Sequence, residues 1–204
     1  MRGILKVYYG PMFSGKTASL TEDSSRLSKV AKRRVLVFMP KIDTRRSRTE
    51  IVSLSGARAT ATQVGDPFEI LSQAIEKGAQ EVLIDEVQFF RQRISYNDIE
   101  NWSIVHVIKE LLRRGINVHA AGLNTNFLGD PFPPTTDLMG MADDSVKMEA
   151  ICTVCGESAD YSLRLIDGQP TRKGELIVVA GTQIEEGTGH ETYEARCRNH
   201  HPFL

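Results

Sequence analysis

Eight residues, Gly10-Pro11-Met12-Phe13-Ser14-Gly15-Lys16-Thr17, narrow the possible folds of this chain more than any other feature of it. They fit the pattern G-x-x-x-x-G-K-[ST], in which glycines let the main chain approach phosphates and successive N–H groups balance their charge. Such a loop works only between a buried strand and a helix whose positive end faces the anion. Both flanks are present. Ile4 to Tyr9 is rich in branched and aromatic residues and ends at Gly10, and Ala18 to Arg34 carries helix formers with few breakers. Gly10, Pro11, Met12, Phe13, Ser14 and Gly15 are therefore expected to cradle the phosphates of a nucleoside triphosphate. Lys16 should reach the outer phosphates, and the Thr17 hydroxyl should ligate Mg2+. The plainer alternative, a glycine-rich turn with a surface lysine, does not account for these flanks.

Further apolar runs follow at Val35 to Met39, stopped by Pro40, at Glu81 to Ile84, and at Val118 to Ala121. Between the last two, Ile104, Val105, Ile108, Leu111 and Leu112 recur at helical spacing up to Gly115. Strands alternating with helices predict an α/β fold, a mostly parallel sheet flanked by helices as in phosphate-loop nucleoside triphosphatases. Ligands bind such sheets at the carboxyl ends of strands. Asp85 and Glu86 stand at one of those ends. Asp85 is the expected Mg2+ partner and part of the nucleotide site, while Glu86 is free to accept the proton of an attacking alcohol. His106 and His119 lie in an apolar helix and strand, where a core role is expected.

Beyond about Lys147 the chain changes character, with cysteines, glycines and turn residues replacing long periodic elements. This divides it into residues 1–147 and a smaller unit, 148–204. Cys152-x-x-Cys155 and Cys197-x-x-His200 make two close-spaced pairs typical of a tetrahedral structural zinc site, with His201 a rival for the fourth place. A closed, four-ligand site folds a loop and leaves catalysis elsewhere.

Composition limits the partners. With 25 Lys+Arg against 26 Asp+Glu, the formal net charge of -1 gives no electrostatic footprint for polymeric nucleic acid or an anionic membrane. No apolar stretch reaches the ~20 residues of a membrane-spanning helix. Met1 to Val7 is broken by Lys6 and lacks the apolar core of an export signal. Three cysteines, an odd number, favour a reducing compartment, so a cytoplasmic location is expected.

The order of these motifs resembles the type II thymidine kinases over nearly the whole chain. The resemblance rests on Gly10 to Thr17, Pro40-Lys41-Ile42-Asp43-Thr44-Arg45, Asp85-Glu86-Val87-Gln88-Phe89-Phe90, Gly122-Leu123-Asn124, Pro131-Phe132 and Tyr193-x-x-x-Cys197-Arg198-Asn199-His200. It implies transfer of the ATP γ-phosphoryl group to the 5′-hydroxyl of thymidine, with deoxyuridine a second candidate, and Glu86 at the catalytic-base position. It further implies that Met12, Phe13, Asp43, Arg45, Gln88, Phe89, Leu123, Phe127 and Phe132 surround the nucleoside, with Gln88 also near the ATP site. Ser162, Arg164 and Tyr193 correspond to a zinc-knotted lasso that closes over the base. A homotetramer inhibited by dTTP is also implied.

The chain departs from the family pattern in three places. Ser162 stands where many relatives have threonine, and the segment from Arg91 to Asn101 is longer by roughly ten residues, which reads as a surface excursion. Thr182 to His190 enlarges the lasso, which bears on base specificity.

Three rival classes share a phosphate loop and fit less well. A nucleoside monophosphate kinase needs several converging arginines, of which the second unit offers chiefly Arg164, Arg172, Arg196 and Arg198. An ATP-driven motor would want a basic groove or a supplied arginine. A zinc module without catalysis would leave Glu86 idle.

Overall fold

The computed structural model describes residues 1–41, 50–52, 56, 58–90, 94–96, 99–173 and 190–204. Its first half runs β1 (Leu5–Tyr9), α1 (Lys16–Ser25), β2 (Val35–Pro40), β3 (Glu50–Val52), β4 (Arg58–Thr60), β5 (Thr62–Val64), α2 (Pro67–Glu76) and β6 (Glu81–Ile84). There follow β7 (Ile94–Tyr96), β8 (Ile99–Trp102), α3 (Ile104–Arg113), β9 (Asn117–Gly122), α4 (Thr135–Met139) and β10 (Asp144–Lys147). Then come β11 (Ala150–Ile151), β12 (Ser158–Ala159), β13 (Tyr161–Ile166), β14 (Gln169–Pro170) and β15 (Glu191–Arg196).

Six strands form a wholly parallel sheet in the order β10-β1-β9-β6-β2-β5. The four central ones are the apolar runs of the sequence, and Leu5, Val7, Val82, Leu83, Ile84 and Val118 have no exposure at all. Burial on both faces is why they read as continuous apolar runs rather than alternating ones. The outer strands β5 and β10, Thr-Gln-Val and Asp-Ser-Val-Lys, are too short and too polar to stand out in the sequence.

Helix α3 buries Ile104, Val107, Ile108 and Leu111 against the sheet, with Val105 and Leu112 packed at the margin. Its N-terminus corrects one expectation. His106 is exposed, and its Nδ1 accepts the Ser103 N–H at 3.2 Å, so it caps the helix from its third position and does not enter the core. Helix α2 starts on a capping box, in which Asp66 accepts Phe68 N–H and Glu69 accepts Asp66 N–H, ahead of Pro67 in the first turn.

The helix after the phosphate loop is shorter than the stretch from Ala18 to Arg34 suggests. It is α-helical to Ser25 and continues as a π turn over Arg26–Val30. Thr21 Oγ1 bonds Thr17 O and Ser28 Oγ bonds Ser24 O, each at 2.7 Å, and hydroxyls that bond back to the preceding turn weaken and bend a helix.

After β10 the strands are antiparallel. β13 pairs with β14 and with β15, β11 pairs with β12, and a small core gathers Ala150, Cys152, Ala159 and Ala195. The segment from Arg91 to Asn101 lies only partly within the described residues, where β7 and β8 pair antiparallel. Asp43 and Arg45, and all of 174–189, lie outside them. Among the described residues no helix is long and apolar enough to cross a membrane.

Candidate active site

The loop between β1 and α1 owes its path to two glycines. Gly10 has φ 154°, and a Cβ there would stand 2.0 Å from Met148 O. Gly15 has φ 86° and opens α1 from the left-handed region, which is costly for any residue with a side chain. Ser14 Oγ donates to Pro11 O at 2.8 Å, and Lys16 Nζ reaches the same carbonyl at 2.6 Å, so the buried lysine arches over the loop. Phe13, half exposed with φ 67°, stands out from it.

The end of β6 meets this loop. Thr17 Oγ1 donates to Asp85 Oδ2 at 3.0 Å, and Asp85 is 2% exposed. Asp85 Oδ1 accepts the Glu86 N–H at 3.0 Å, and Asp85 N–H is tied to Phe38 O of β2. Glu86 adopts φ 51°, ψ 44°, a left-handed conformation that turns the chain sharply off the strand into a short helical turn, Val87–Phe89. Such a conformation is rare for a residue with a side chain and is costly unless the surroundings hold it. Gln88 is fully buried, bonding Glu86 through Nε2 and Leu123 N–H through Oε1. Phe89 is half-buried, and Leu123 follows the end of β9.

The chain beyond β10 reaches the same place. Ser162, on β13 and 2% exposed, accepts the Met12 N–H through Oγ at 2.8 Å. Phe127 and Phe132 are buried in the loop after β9, whose ends are joined by a bridge between Thr125 and Pro131. Arg164 sits 5.3 Å from the Phe127 ring centre and 3.0 Å from Glu191, both charged groups almost wholly buried, and also donates to Lys173 O. Tyr193 lies opposite Arg164 across the β13–β15 pair and is half-buried. The fold thus brings Gly10 to Thr17 together with Asp85, and it joins Glu86, Gln88 and Leu123, and Met12 with Ser162. Glu191, the partner of Arg164, carried no motif that could have drawn attention to it.

Cys152, Cys155, Cys197 and His200 offer ligand atoms that all lie within 4.8 Å of one another. Cys155 Sγ is 3.8 Å from Cys197 Sγ, and His200 Nδ1 is 3.8 Å from Cys152 Sγ and 3.2 Å from Cys197 Sγ. A tetrahedral ion with metal–sulfur bonds of about 2.3 Å requires edges of roughly 3.8 Å, so the donor set fits a four-coordinate Zn2+. Burial pushes the Cys152 thiol up, but main-chain groups of Cys197, Cys155 and Val154 and the Cys155 thiol outweigh it and bring it down to about 6. His201 is not in the cluster. Its Nε2 lies 3.4 Å from Ser162 O, and burial pushes its imidazole below the usual range.

The comparisons with known proteins agree with this geometry. The sequence profile described as "Thymidine kinase" matches residues 3–201. The chain is similar to the thymidine kinase of Thermococcus kodakarensis, 41% identical over 203 residues that cover 98% of this chain and 94% of that protein. It is also similar to the thymidine kinase of Coprothermobacter proteolyticus, 40% identical over 199 residues that cover 98% of this chain and 90% of that protein. A match from one end of the sheet to the far side of the Cys/His cluster leaves no part of the site outside it, and the chain belongs to the thymidine kinase family.

Proposed function

We propose that the chain transfers the γ-phosphoryl group of ATP to the 5′-hydroxyl of thymidine, giving dTMP for pyrimidine deoxynucleotide salvage. The observation that carries this reading is the meeting of Thr17, on the phosphate loop, with Asp85 at the end of β6, which sets the neighbouring Glu86 beside the loop.

Gly10 to Lys16 would hold the triphosphate through loop N–H groups and the Lys16 amine. Thr17 and Asp85 would hold Mg2+, which when bound offsets the charge of the phosphates. Glu86 would take the proton of the 5′-hydroxyl, held at its carboxylate by Gln88. Met12, Phe13, Phe89, Leu123, Phe127 and Phe132 would wall the nucleoside, with Asp43, Arg45, Gln88 and Tyr193 completing the site. Ser162 and Arg164 would act at one remove, since Ser162 bonds the loop and Arg164 is buried against Glu191.

Cys152, Cys155, Cys197 and His200 would bind a structural Zn2+ and fix the 148–204 unit, whose separate small core supports its reading as a second domain. Three unpaired cysteines support a cytoplasmic enzyme. A homotetramer inhibited by dTTP follows from the family resemblance, and light scattering with and without dTTP tests it. The deciding experiment is phosphate transfer from ATP to a panel of nucleosides. Thymidine should be the best acceptor with deoxyuridine second; turnover with a nucleoside monophosphate alone would overturn the reading.

A further inference from the structure

The two arms of the phosphate loop are joined by a buried network that the proposed reaction does not use. Tyr8 on β1 and Asp23 on α1 flank the loop, and the Tyr8 hydroxyl donates to Asp23 Oδ2 at 2.6 Å. His119 on β9 places Nδ1 2.8 Å from the same oxygen, and its Nε2 lies 3.4 Å from Glu81 Oε2. Glu81 opens β6, the strand that leads into Asp85, and is bound further by Arg33 and by Asn117 Nδ2 at 2.9 Å. Lys6 and Arg26 approach Asp23 at 3.8 and 3.0 Å. The side chains of Asp23, His119 and Glu81 are 7%, 12% and 0% exposed.

Such a network is a poor way to gain stability, because apolar residues of similar volume usually do as well without the desolvation cost. What it supplies is direction. The buried residues of α1 are Lys16, Leu20, Thr21, Asp23 and Ser24, so a single large apolar side chain faces the sheet and packing alone fixes the helix's rotation weakly. The π turn begins at Arg26, immediately beyond, where regular helical register ends. Contacts at Asp23 therefore tie α1 to Tyr8 of β1 and, through His119, to the strand that leads into Asp85 and Glu86.

We propose that Tyr8, Asp23 and His119 are positioning residues for phosphate transfer, indexing the phosphate-loop helix to the sheet so that the loop presents its N–H groups to ATP. The inference rests on the reading of the loop as an ATP site. It deepens that reading by naming residues that touch neither substrate.

The test uses the full chain and the variants Asp23→Leu, Asp23→Asn and Tyr8→Phe. Affinity for a non-hydrolysable magnesium–ATP analogue is titrated without acceptor, beside KM for each substrate, kcat and Tm. Asp23→Leu should weaken the analogue ~10-fold, a typical coupling between linked sites, while KM for the nucleoside changes less than ~2-fold. Asp23→Asn should recover most of the loss, since its carbonyl still accepts from Tyr8. Tyr8→Phe, which removes one hydroxyl and keeps the ring, covers the case in which Asp23→Leu does not fold, and it should weaken the analogue by ~3-fold or more. Unchanged analogue affinity in Tyr8→Phe, or equal losses for analogue and nucleoside, overturns the proposal. A wild-type chain without affinity for the analogue overturns both readings. A wrong acceptor is seen separately, in the transfer assay.

Discussion

Gln88 Nε2 donates to Glu86 Oε2 at 2.5 Å while Gln88 Oε1 accepts the Leu123 N–H at 3.1 Å. Because a main-chain N–H can only donate, the amide must turn its oxygen to Leu123 and its NH2 to Glu86. The strand end of β6 and the strand end of β9 are thus connected through a fully buried side chain that also bonds the Glu86 carboxylate. Gly122 helps make room for it, since a Cβ there would stand 2.9 Å from Gln88 Oε1.

Gln88→Glu keeps the length of the side chain and an acceptor for Leu123, but sets a like charge against Glu86. The amide donor that holds the Glu86 carboxylate is lost as well, so kcat should fall at least ~10-fold. Steady-state rates between about pH 5 and 9 check this. An unchanged kcat would show that Gln88 does not orient Glu86 for the reaction.

Glu86→Gln should keep the affinity for magnesium–ATP and lose ~100-fold or more in turnover, because the amide preserves shape and cannot take a proton. Equilibrium binding of ATP together with single-turnover transfer separates the two effects. Near-normal transfer would remove Glu86 from the mechanism.

Acid should expose the network under the phosphate loop. Burial pushes the Asp23 and Glu81 carboxyls up. Hydrogen bonds from Tyr8 and His119 to Asp23, and the nearby His119 imidazole with hydrogen bonds from Asn117 and Arg33 at Glu81, outweigh it and hold both below the usual range. A depressed folded-state value means stability that is present above the ordinary carboxylate pKa of about 4 and is lost as pH falls through the folded value. Thermal melts from about pH 7 to 3 should show Tm falling steeply below about pH 4, and less steeply in Glu81→Gln. Parallel curves would assign the acid loss to other carboxylates.

Removal of a metal from the Cys/His cluster should act on the chain beyond β10. The four-ligand geometry predicts ~1 zinc per chain by elemental analysis, and none in Cys197→Ser. That variant should melt roughly 10 °C lower, given about 2–4 °C per kcal/mol for a chain of this size. A metal-free preparation with wild-type Tm and activity would contradict a structural role.

The sequence by itself determined what is local. Gly10 and Gly15 had to be glycine for a strand-to-helix turn of this shape, four apolar runs had to be buried strands, and each half of the Cys/His cluster was spaced for ligation by its own few residues. Tertiary structure decided what depends on strand order. Only the sequence β10-β1-β9-β6-β2-β5 sets His119 between Asp23 and Glu81, and only the pairing of β13 with β15 carries Cys197 and His200 to Cys152 and Cys155. The same docking presents Ser162 to Met12 across 150 positions of chain and turns His201 away from the cluster. Edge strands such as β10, exposed at most of its positions, leave no apolar signature to read. Residue spacing encodes geometry within one turn or strand, whereas contacts across the sheet are fixed by the packing of the whole core.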